Sequence, residues 1–180
     1  MYHLNSSTLP SYIDELAAFD PQVMVGYTSA IHRIATHLLQ YGDTDRVNPR
    51  AVLVSSETLT RTARADIERA FGCRVFNSYS LGELVAYVSQ CPEGDLHVST
   101  EYGVIELLDL DGHGTTEIVA TGLINRGMPL LRYRTGDLAT GGGAGVGANA
   151  TAAYRASPAS SGATTTSSTP PRVPSWARLR

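Results

Sequence analysis

Lysine is absent from all 180 residues. That absence excludes a Schiff base, a phosphate-loop lysine and any other reaction this chain would run through an ε-amine. Cysteine is nearly as scarce, and the two present, Cys73 and Cys91, are too few for a disulfide scaffold. A reduced, cytoplasmic setting is the simpler expectation. No apolar run approaches the roughly 20 residues of a membrane span, and the opening MYHLNSSTLP has neither the charged start nor the apolar centre of a secretory signal. A membrane partner is therefore not expected.

Acid is missing from one end only. All 17 acidic residues lie at or before Asp137, where ten arginines leave a net charge of −7; beyond it come four arginines and no acid, a net of +4. The overall charge of −3 thus conceals two unlike segments. An acidic ordered part argues against a nucleic-acid partner, because phosphate contacts need clustered basic residues. Residues 1–140 read as one ordered region. Residues 141–180 are mostly Gly, Ala, Ser, Thr and Pro, a composition that cannot bury enough apolar surface to offset its ordering entropy, so disorder is expected there. Gly143, Gly145 and Ala148 match a dinucleotide-binding spacing in that tail, but without the preceding strand, following helix and later acid the match carries no weight.

Periodicity organises the first half as alternating strands and helices. Leu9, Ile13 and Leu16 give a helix that Thr8 can cap and Pro10 can start. Gln22–Val25 reads as a short strand, and Ile31, Ile34, Ala35 and Leu38 form a helical stripe ending at Tyr41-Gly42. Ala51–Val54 is a buried strand, Thr60–Phe71 a helix stopped by Gly72, and Arg74–Phe76 the next strand. Such alternation predicts an α/β fold with a parallel sheet under covering helices. Beyond Glu83 the pattern turns mainly to β, expected antiparallel: Leu84–Ser89, Leu96–Ser99, Gly103–Leu110, Glu117–Thr121 and Leu130–Tyr133, with a hairpin turn at Asp109–Gly114.

Three segments hold residues suited to chemistry. VSSETL ends a buried strand, where open α/β sheets place ligands, although Ser56, Thr58 or Thr60 equally reads as a helix cap. NSYSLGE, residues 77–83, joins an aromatic face and small residues to one carboxylate. LRYRTGDL, residues 131–138, carries Asp137 after a strand and a glycine, suited to two hydroxyl hydrogen bonds, or equally to an ordinary turn. Cys91 and His97 would supply half of a metal site, but no second pair has ligand spacing, and a packed cysteine with a surface histidine is the favoured reading.

In order and spacing, SSETLT, NSYSLGE, EIVATGLINRGMPLLRYRTGDL and the residues between them resemble the adenylate-forming acyl-CoA ligases, and within them the phenylacetate–CoA ligase branch with its capsule-biosynthesis and coenzyme-synthetase-like relatives. The resemblance covers about Leu9 to Leu138. It implies part of the large adenylating domain, which joins a carboxylic acid to ATP and passes the acyl group to coenzyme A. By that resemblance Tyr79 stacks on adenine, Asn77 sits near its exocyclic amine within the stretch that includes Ser78 and Ser80, and Glu83 is the catalytic and metal-facing carboxylate, toward Mg²⁺ and the phosphates. Asp137 would bind the ribose hydroxyls and Arg134 orient ribose or phosphate, while Ser56 and Glu57 would form the turn beside the adenine. Ser80 replaces the usual glycine, where a positive φ would strain it, and Gly82 replaces a usual Ser or Thr. The family's glycine-rich phosphate loop and lysine-bearing small domain have no counterpart here, which implies a truncated or frameshifted copy that is a poor enzyme alone and exposes apolar edges prone to self-association. The alternatives are a non-catalytic nucleotide-binding module and a non-functional gene remnant.

Overall fold

Asn5 accepts the backbone N–H groups of Ser7 and Thr8 (3.0 and 3.1 Å) on its side-chain oxygen. The computed structural model describes residues 4–113 and 115–140, apart from the side chain of Thr140. The tail and its glycine-spacing match lie outside these residues. Helix α1 (Leu9–Phe19) follows with a proline in its first turn. Thr8 occupies the cap position without a side-chain cap bond, because its hydroxyl is engaged with Asn5 instead.

Strand β1 (Val23–Tyr27) runs directly into α2 (Thr28–Tyr41), and a 3-10 turn at Thr44–Arg46 leads to β2 (Ala51–Ser55). Helix α3 (Arg61–Phe71) is capped by Thr60, whose hydroxyl accepts the N–H of Ala63 at 3.1 Å. Gly42 and Gly72 end α2 and α3 at φ 74° and 61°, a left-handed turn that glycine adopts without strain. The expected βα alternation is present. Strands β1, β2 and β3 (Arg74–Ser80) pair in parallel, and Met24, Val52, Val54 and Val75 pack with Ile31, Leu38, Ile67 and Phe71 of the helices in one core. On the other face Val23, Val25 and Tyr27 are exposed, and β1 forms one edge of the sheet among the described residues.

β3 is longer than its sequence suggests and changes partner along its length. Its parallel register with β2 ends at Asn77, and Ser78–Ser80 then pair antiparallel with β4 (Tyr87–Gln90), which pairs with β5 (Leu96–Val98). A second, three-stranded antiparallel sheet follows: β6 (Gly103–Asp109), β7 (Thr115–Gly122) and β8 (Tyr133–Thr140). The antiparallel expectation holds, with two shifts. The apolar triplet Leu84-Val85-Ala86 belongs to a loop rather than to β4, and the last strand begins at Tyr133 instead of ending there. Gly112 at φ 68° turns the β6–β7 hairpin, while Asp111 accepts the N–H groups of His113 and Thr115.

The two sheets meet where bulk is missing. A Cβ on Gly103 would overlap the carbonyl oxygen of Val85 and crowd that of Thr121 (2.9 Å), and one on its register partner Gly122 would stand 3.3 Å from the Leu84 carbonyl oxygen. The second core, with Val85, Val88, Ile105, Ile118 and Ala139, forms around this approach. Gly103→Ala should therefore push the sheets apart and cost about 1–3 kcal/mol, read as a lowered midpoint in thermal or urea unfolding. An unchanged midpoint would mean the approach is looser than described.

Candidate functional site

At the end of β2, Ser56 takes a left-handed conformation (φ 68°) and turns Glu57 back toward α2. The Glu57 carboxylate accepts the Ser29 backbone N–H at 2.6 Å and its hydroxyl at 2.9 Å, while the Glu57 carbonyl accepts from Thr28. A carboxylate at a helix N-terminus answers both the unpaired N–H groups and the positive end of the dipole. In this structure Glu57 thus caps α2. The strain foreseen at Ser80 is instead at Ser56, since Ser80 lies in β3 and is not among the positive-φ residues.

Alternation along β3 puts Asn77 and Tyr79 on one face and Ser78 and Ser80 on the other. The Ser78 hydroxyl donates to the Val54 carbonyl at 3.4 Å, and Ser80 is an exposed strand end. The side-chain oxygen of Asn77 is buried without a hydrogen-bond partner. Such an acceptor is costly unless a donor meets it. A ligand amine would supply one.

Glu83 sits half-buried in the loop between β3 and β4, and the second sheet fixes that loop. Asn125 donates to the Glu83 carbonyl at 3.1 Å, Leu84 turns at φ 59°, and Leu84-Val85 rest against Gly103 and Gly122. Tyr133, the first residue of β8, reaches the Glu83 carboxylate with its hydroxyl at 3.5 Å.

The segment Thr135-Gly136-Asp137, read from sequence as lying beyond a strand, is a bulge inside β8. Arg134 faces Val119 and Leu138 faces Glu117, so Thr135, Gly136 and Asp137 together stand opposite Ile118. Gly136 supplies φ 78°, the Thr135 hydroxyl donates to the Ile118 carbonyl at 2.9 Å, and the same oxygen accepts the Asp137 N–H at 3.1 Å. Bulges re-aim side chains. This one presents Asp137 to Tyr79, whose hydroxyl donates to the Asp137 carboxylate at 2.7 Å across 58 residues of chain.

Tyr79, Glu83 and Asp137 are thus gathered at the junction of the sheets, with Asn77 one alternation along from Tyr79. Arg134 points elsewhere: its guanidinium pairs with the buried Glu117 carboxylate, with Nε 3.0 Å from each oxygen. Among the described residues neither Glu83 nor Asp137 forms an ion pair, so the corner holds two carboxylates without a cation. Tyr133 completes it and was not singled out from the sequence. The available signal was its place directly before Arg134-Thr135-Gly136-Asp137, where strand periodicity made it look like an ordinary pleat residue.

Solved structures share this architecture. A 2-hydroxyisobutyryl-CoA ligase in an open conformation, in complex with 2-HIB-AMP and CoA, superposes with a TM-score of 0.64 at 17% identity, covering 76% of this chain and 35% of that one. An anthranilate CoA ligase in complex with anthranoyl-AMP gives 0.54 at 13% identity, covering 76% of this chain and 31% of that one. A benzoate CoA ligase from Burkholderia xenovorans also gives 0.54, at 17% identity, covering 73% and 31%. The fold is that of part of an adenylate-forming CoA ligase. In sequence, the chain is 38% identical over 136 residues to Protein CapK of Staphylococcus aureus, a match covering 76% of this chain and 30% of that protein. The chain spans less than a third of this curated relative. No protein-family model matches it.

Two tests follow from the corner's electrostatics. Burial first, then the neighbouring Glu83 charge, the hydrogen bond to Glu83 and the Asp137 charge push the Tyr133 phenol above the ordinary tyrosine value of 10.0. A raised pKa in the fold means its contribution is present below the unfolded value and lost as pH rises through the folded one. Tyr133→Phe should therefore flatten the decline of stability above pH 10.0 in urea melts, and an unaltered decline would refute the coupling. Arg134→Ala should lower stability by stranding the buried Glu117 carboxylate. Thermal unfolding of Arg134→Ala beside the Arg134→Ala/Glu117→Leu pair, expected to recover part of that loss, checks it.

Proposed function

We propose that this chain carries the nucleotide-binding corner of an ATP-dependent aryl- or acyl-CoA ligase of the phenylacetate–CoA ligase type. Such an enzyme joins a carboxylic acid to ATP, releasing pyrophosphate, and then transfers the acyl group from AMP to the thiol of coenzyme A. The observation that carries the reading is the 2.7 Å hydrogen bond between Tyr79 and Asp137. From ring to carboxylate the reach is one phenol C–O bond and one hydrogen bond, which suits a base on the ring and its ribose hydroxyls on the acid.

In this reading the Tyr79 ring is the stacking platform, and the unpartnered Asn77 oxygen accepts the exocyclic amine. Asp137 takes the ribose hydroxyls. Glu83, without a cationic partner among the described residues, is the protein ligand for Mg²⁺, which with phosphate oxygens needs few protein donors. When bound, the ion supplies neutralisation of phosphate charge. Ser56, Ser78 and Ser80 then shape the backbone around the base, and Arg134 acts on the site through Glu117 and the bulge. ATP, coenzyme A and the carboxylic acid are the partners, with phenylacetate the first acid to try. No described helix is long and apolar enough to cross a membrane, and a cytoplasmic place, where ATP and coenzyme A are at hand, accords with the reading.

Acting alone, the chain should be nearly inactive. It contains no lysine, and the ligases it resembles supply one from a separate domain. That same lack favours, as the second reading, a nucleotide-binding module without catalysis.

Calorimetric titration of the purified chain with AMP and ATP tests both. Binding should weaken about tenfold or more in Tyr79→Ala, from lost stacking, and comparably in Asp137→Ala. No detectable AMP binding would refute the nucleotide site. Pyrophosphate release, tested with phenylacetate and a panel of acids on the gene product joined to its flanking coding sequence, separates ligase from module.

A further inference from the structure

Resting on the nucleotide reading above, we propose that the Tyr79 hydroxyl is the positioning group that orients Asp137 and so makes the site select a ribose over a 2′-deoxyribose. Asp137 is exposed and sits on a bulge whose backbone turns through Gly136 at φ 78°. An exposed carboxylate on such a turn has several rotamers of similar energy. The Thr135 hydroxyl fixes the Asp137 backbone N–H, not its carboxylate. The carboxylate is fixed from the other sheet, by the phenol at 2.7 Å.

The contact orients without filling the acceptor. A carboxylate offers about four lone-pair positions, and the phenol takes one on Oδ2, leaving room for two vicinal hydroxyls. A tightly held acceptor gains more from each sugar hydroxyl than a mobile one, because the ordering is already done. The ring and the hydroxyl of Tyr79 thus serve different parts of one ligand: the ring meets the base, and the hydroxyl reaches the sugar through Asp137.

The test compares AMP with 2′-deoxyadenosine monophosphate on the whole chain by calorimetry, in the native protein, Tyr79→Phe and Asp137→Asn. Tyr79→Phe keeps the ring. It should weaken AMP about tenfold, the effect of one lost hydrogen bond to a charged group, and weaken the deoxynucleotide, which keeps only one of the two hydroxyls, distinctly less. Asp137→Asn should erase the same preference, and the Tyr79→Phe/Asp137→Asn pair should be no worse than Asp137→Asn alone. A fluorinated tyrosine at position 79, of near-native size but with a more strongly donating phenol, should sharpen the preference and gives the answer independently of how Tyr79→Phe folds. A native ratio of affinities in Tyr79→Phe, tighter AMP binding in it, or no change with the fluorinated residue overturns the proposal while leaving the nucleotide site standing. Failure of the native chain to bind either nucleotide sinks both.

Discussion

The close approach of Gly103 to the Val85 carbonyl, with Gly122 beside it, sets the geometry near the site. Two glycines in register let a three-stranded sheet settle onto the loop that carries Glu83. From that seat come the bond from Asn125 to the Glu83 backbone, the reach of Tyr133 to the Glu83 carboxylate and the meeting of Tyr79 with Asp137. Each of these joins one sheet, or its loop, to the other. Packing at a place with no chemistry thus determines geometry at the place that has it.

Charge is distributed to match. Arginines near the corner are already committed, Arg132 to Glu106 and Arg134 to Glu117. Glu83 and Asp137 have phenols as neighbours rather than cations. A phenol orients a carboxylate while leaving its charge in place, whereas an arginine would neutralise it. An oriented anion with its charge intact suits hydroxyl donors and a divalent ion.

Helices and parallel strands were legible in the sequence because their signals are local. The stripe Ile31, Ile34, Ala35, Leu38 and the stop at Gly42 both sit within α2. Where long-range contacts decide, the reading slipped. Leu84-Val85-Ala86 has the apolar character of a strand, yet Leu84 is turned into a left-handed conformation and Val85 and Ala86 are buried between sheets. Thr135-Gly136-Asp137 has turn composition, and the structure absorbs it as a bulge because β7 keeps pairing on both sides. The capping role of Glu57 depends on Ser29, 28 residues earlier, and no spacing rule connects them. Tyr79, Glu83 and Asp137 were selected by resemblance, and their convergence rests on pairing that composition does not encode.

The two cores divide the chain at one point. Every fully buried residue of the first lies between Leu9 and Val75, whereas those of the second run from Val85 to Ala139. A ribosome synthesising this chain therefore releases all the buried residues of the helical layer before the Glu83 loop has emerged. The corner that joins Tyr79 to Asp137 needs the final described strand, so it cannot close before β8 has been made.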